Sequence, residues 1–110
     1  MNKRIKRAWI KALRSGEYKQ GRIVLCDADS KMCCLGVLCD IAIDGDWVWR
    51  PAYKAWMPPE SVRLYVRTSH WSTDGYKSVG LTWDDASHLA DMNDGGDTFN
   101  EIADWIEENL

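Results

Sequence analysis

The stretch from Met32 to Ile43, MCCLGVLCDIAI, constrains the fold more than any other part of this 110-residue chain, because Asp40 is its single charged residue. Leu35, Leu38, Cys39, Ala42 and Ile43 recur at the spacing of one helical face, and Val37 and Ile41 add apolar bulk on the other sides. A helix that is apolar nearly all round has to be wrapped by the rest of the chain. A carboxylate in such surroundings needs a partner, and Arg50, Arg63 and Arg67 are the natural candidates. Gly36 reads as a place where another backbone packs closely.

The wrapping segments are legible on both sides. Residues 3–15 are predicted as a first helix: Ile5, Ala8, Trp9, Ala12 and Leu13 form one stripe, and lysines and arginines fill the remaining faces. Gly16 suits the left-handed position that ends it. Arg22 to Cys26 is short and β-branched, Asp27 to Ser30 supplies turn residues, and Lys31 to Cys34 returns, which predicts a β-hairpin leading into the buried helix. At the far end, Thr82 with Asp85 and Thr98 with Glu101 have capping-box spacing. They predict one helix ending near Met92, a break over residues 93–97, and a last helix with Phe99, Ile102, Ala103, Ile106 and Leu110 inward. The expectation is a single α+β domain over residues 1–110: basic N-terminal helix, β-hairpin, buried central helix, aromatic irregular segment, and an acidic C-terminal αα-hairpin.

Charge is sorted along the chain. Residues 1–31 hold nine Lys/Arg and three Asp/Glu (+6), residues 32–80 five of each, and residues 81–110 nine acids and no base (−9), which together give the net −3. The simplest consequence is that the basic first helix lies near the acidic last ones. No apolar run reaches the ~18 to 20 residues needed to cross a bilayer. No signal-peptide pattern opens the chain, so a cytoplasmic setting with Cys26, Cys33, Cys34 and Cys39 as reduced thiols is expected.

Seven Trp against one Phe exceeds ordinary core needs. In residues 47–80 the aromatic residues alternate with arginines and lysines, and Pro58-Pro59-Glu60 and Asp74-Gly75 suggest a short helix and a hairpin turn. Base stacking on Trp or Tyr is worth ~1 to 3 kcal/mol, and Arg forks pair with phosphate oxygens. Trp47, Trp49, Arg50, Tyr53, Trp56, Arg63, Arg67 and Trp71 are therefore the candidate binding residues for a small anionic, nucleotide-like ligand. The bland alternative is that these rings close the core over the buried helix.

Other chemistries fit less well. Cys33 or Cys34 could act as a thiol nucleophile with His70 or His88, the pattern of a cysteine-dependent hydrolase, but apolar neighbours raise a thiol pKa. The cysteines lack the two-residue spacing of common zinc sites. Residues 91–97 echo a calcium loop, yet the closing Glu position falls on Ile102. No metal and no cofactor is expected. DNA binding by the last two helices is disfavoured, since the final one carries Glu101, Asp104, Glu107 and Glu108 and no base.

The segments Tyr18-Lys19-Gln20-Gly21, Cys33-Cys34-Leu35-Gly36-Val37-Leu38-Cys39-Asp40, Asn93-Asp94-Gly95 and Phe99-Asn-Glu-Ile-Ala-Asp104 resemble a set of small uncharacterised proteins of bacteriophages and prophages. The resemblance implies action inside an infected bacterial cytoplasm, including interference with host metabolism or defence; it carries no catalytic residues. The expected function is non-enzymatic: counter-defence by sequestering an anionic ligand or by binding a host protein, with a homo-oligomer left open.

Overall fold

The structure, a computed structural model, describes residues 1–42, 47–57 and 79–110. Four helices and a three-stranded antiparallel sheet make up these residues, an α+β fold as expected. Helix α1 spans Lys3–Arg14, and the Asn2 side chain caps it by accepting the Ile5 N–H at 3.0 Å. Trp9 and Leu13, one turn apart, are its buried residues. The Trp9 indole N–H donates to the Cys34 carbonyl at 2.9 Å, so this large ring is buried with its polar atom satisfied.

Helix α2, Cys34–Ala42, is the centre of the core: every residue from Cys34 to Cys39 is buried. It starts two residues later than the apolar run because Met32 is taken up by bridges to Gln20 and Cys26. Gly36 does what its position suggested. A Cβ there would fall onto the Leu25 carbonyl, so only glycine lets the incoming strand lie directly on α2.

The hairpin before α2 is short. Asp27 N–H donates to the Lys31 carbonyl at 2.9 Å, the Asp27 carboxylate accepts the Asp29 and Lys31 N–H groups, and a Cys26–Met32 bridge closes the turn. Strand β1 is just Cys26–Asp27, and its ladder partner lies about thirty residues away in sequence: β3, Ala55–Met57, which also pairs with β2, Val48–Arg50. The sheet order is β1-β3-β2. Residues 48–57 therefore form a hairpin inside the segment expected to be irregular. The short helix expected from Pro58 and the turn expected at Asp74-Gly75 lie outside the described residues.

Ile23 is a local strain point. It has a φ of 75°, unusual for a β-branched residue, in a tight turn where the Val24 N–H reaches the Arg22 carbonyl at 2.9 Å. Asp94 holds the turn by accepting the Ile23 N–H at 2.8 Å.

Helix α3, Trp83–Gly95, is capped by Thr82 and ended by Gly96 with a φ of 110°. It therefore runs three residues past the expected stop at Met92. Asn93 continues the inward row of Ala86, Leu89 and Ala90, and its burial in the core overrides the weak helix propensity of Asn. Helix α4, Phe99–Asn109, has the full Thr98–Glu101 capping box, and its buried residues are Phe99, Ile102, Ala103 and Ile106. It packs on α1, where Arg14 reaches both Asp104 and Glu107 at 2.6 Å. The basic and acidic ends of the chain meet as the charge layout implied. No helix of the described residues is long and apolar enough to cross a membrane.

Candidate functional site

Two regions could carry chemistry, the thiols and the aromatic hairpin, and their surroundings separate them. All four cysteines are buried. Cys34 is fully enclosed, its thiol donates to the Leu89 carbonyl at 3.5 Å, and burial pushes its pKa well above the usual thiol value. Burial likewise raises Cys39, and it lifts Cys26 to about 11 with help from the charges of Asp27 and Asp40. A nucleophilic thiol needs an electropositive, accessible setting. His88 lies on the exposed surface of α3, with its ring against Trp105 at 4.8 Å. His70 lies outside the described residues. Among the described residues no group of His, Cys, Asp and Glu is placed to hold a metal ion.

The aromatic hairpin is different. Every residue of β2 is exposed, whereas in β3 Ala55 is buried against the sheet and Trp56 is half-buried. Trp49 sits directly across from Trp56 in the ladder, their ring centroids 5.5 Å apart and edge to face. This cross-strand pair braces Trp49 while leaving it 36% exposed. Tyr53, at the turn, is 48% exposed, and Arg50 and Lys54 flank it on the surface. Trp47 packs partly against the core. Of the candidate residues, Trp49, Arg50, Tyr53 and Trp56 thus share one hairpin, Trp47 leads into it, and Arg63, Arg67 and Trp71 lie outside the described residues.

Trp47 also reaches Asp40. That residue lies on an exposed edge of α2, and the hydrogen bonds to its carboxylate come from the Tyr18 hydroxyl at 2.6 Å and the Trp47 indole N–H at 3.0 Å. Two neutral donors hold the carboxylate among the described residues, and Arg63 and Arg67, two of the arginines expected to partner it, lie outside those residues. Desolvation, reinforced by the hydrogen bond and the charge of Asp40, raises Tyr18 to about 12. The Asp40 bridge fastens the start of the hairpin segment to the scaffold.

Sequence reasoning missed the polar centre of the scaffold. The fully buried Asn93 side chain accepts from the Cys34 N–H at 3.1 Å and the Gln20 amide at 3.0 Å, and donates to the Gly21 carbonyl at 2.8 Å. Gln20 in turn donates to the Asp97 carbonyl and accepts the Phe99 N–H. All four motif segments thus join in one network, and Tyr18 with Asp40 ties the first to the second again. The signal was available: Ala86, Leu89, Ala90 and Asn93 share helical spacing, which puts an amide on an inward face. This network has no opening to solvent at Asn93 and holds the fold together rather than offering a site.

No curated protein and no solved structure matches the chain. A family model does, from end to end: over residues 1–110 the chain belongs to the family described as a domain of unknown function, DUF8296.

Proposed function

We propose that this is a phage or prophage binding protein that acts without catalysis in the cytoplasm of the infected host, taking an anionic, nucleotide-like ligand on the 48–57 hairpin and so countering a host defence. The observation that carries the reading is Trp49, a large ring braced edge-on by Trp56 and left exposed beside Arg50. A ring fixed by its neighbour stacks on a base at little entropic cost, and a cation one residue away suits a phosphate. The burial of the thiols favours this reading over hydrolysis by Cys33 or Cys34 with His70 or His88.

A thermal-shift screen with mono-, di- and cyclic nucleotides tests it. At least one should raise the melting temperature of the wild-type chain and leave Trp49→Ala unmoved. No stabilisation by any of them would favour the second reading, a host protein clamped through the same exposed Val48, Trp49 and Tyr53.

A further inference from the structure

Beside α1, away from the hairpin, runs an open groove of about 1000 Å³ between that helix and the C-terminal end of α4. Its floor is apolar, from Met1, Ile10 and Leu110, and its α1 wall carries Lys3, Arg7 and Lys11. These three cations recur every four residues, about 6 Å apart along the helix axis. Among the described residues they form no ion pair, in contrast to Arg14 at the end of the same row. The groove is a trough without enclosing walls, unlike a small-molecule site, which encloses most of its ligand. A row of cations above an apolar floor suits a helix that presents acids at four-residue spacing beside apolar residues.

The chain itself carries the matching surface. On α4, Asp104 and Glu108 are exposed four residues apart, Asp104 also pairing with Arg14 of its own chain, and Glu101, part of the capping box, lies one turn before them. Within one chain the Arg14 contacts already show that α1 cations receive α4 carboxylates. We propose that the groove is one half of a symmetric interface in which α1 of each copy faces α4 of the other. Under a two-fold axis each contact is made twice, and the basic helix of one copy is neutralised by the acidic helix of its partner. Covering Ile10 and Leu110 supplies the affinity, and the charge rows set orientation and register. A nucleic acid fits worse, because the apolar floor of Met1, Ile10 and Leu110 offers nothing to a phosphate backbone.

Sedimentation of the full chain at low and high salt, with two charge-reversed variants, tests the proposal. The wild type is expected to be a dimer that dissociates as salt rises. Lys3→Glu/Arg7→Glu/Lys11→Glu and Asp104→Lys/Glu108→Lys should each be monomeric alone and should dimerise when mixed, since the mixture restores opposite charges at both contacts. A wild-type chain that stays monomeric at low salt overturns the proposal and leaves the groove to an acidic helix of another protein. So does a folded variant that dimerises alone, or two folded variants that stay apart when mixed.

Discussion

The side-chain oxygen of Asn93 accepts the N–H of Cys34 at 3.1 Å, so the first amide of the central helix is capped by a residue fifty-nine positions away, on α3. A helix start leaves its first N–H groups without intrahelical partners, and here the start is buried beyond the reach of water. Asn93 solves this while also fixing Gln20 and Gly21. Replacing it with Ala removes three hydrogen bonds at once and strands buried donors and acceptors at ~1 to 3 kcal/mol each. Asn93→Ala is expected to cost more than ~3 kcal/mol in urea unfolding.

Gly36 and Gly95 make a matched pair. A Cβ at Gly36 meets the Leu25 carbonyl, whereas at Gly95 it meets open space. Gly36→Ala should lose ~2 kcal/mol or more through displaced backbone. Gly95→Ala, inside the last turn of a helix, should be neutral or gain up to ~1 kcal/mol. Thermal unfolding of both separates crowding from helix propensity.

Ile23 is 67% exposed at a φ of 75°, so it contributes little burial and much strain. Asn tolerates that conformation where a β-branched side chain does not. Ile23→Asn is expected to raise stability by about 1 kcal/mol, measured by denaturant midpoint at an unchanged slope. A loss instead would place the isoleucine in a contact that holds the 20–24 loop.

Tyr18 makes stability depend on alkaline pH. Its folded-state pKa is raised from 10 to about 12, by desolvation first and then by the hydrogen bond to Asp40. The folded chain thus holds this proton more tightly than the unfolded one. The corresponding stability is complete below pH 10 and disappears as pH rises toward 12. Tyr18 is half-buried at the edge of the core, so partial solvent screening keeps the effect modest. Denaturation across that window should show a decline, and Tyr18→Phe should flatten the part due to this group, leaving the contribution of Cys26 between 9 and about 11.

The parts of the fold that were legible are those decided by local chemistry. The stripe of Trp9 and Leu13, the apolar run through Leu35 and Leu38, and the threonine caps at 82 and 98 each fix an element within a few turns of chain. What was not legible rests on distant partners. Cys26 pairs with Trp56, Asn93 caps Cys34, and Asp40 is held by Tyr18 and Trp47. No periodicity encodes such pairings. The same limit applied to the site. Composition singled out the aromatic residues of 47–80, but which rings stay exposed, as Trp49 does, and which pack on the core, as Trp47 does, depends on partners distant in sequence.

A calorimetric titration of nucleotides into the wild-type chain and into Trp49→Ala tests the central claim most directly. Saturable binding to the wild type is expected, weakened about 5- to 150-fold in the variant, the equivalent of ~1 to 3 kcal/mol for one stacked base. Absence of saturable binding by the wild type, or equal binding by both, would contradict it.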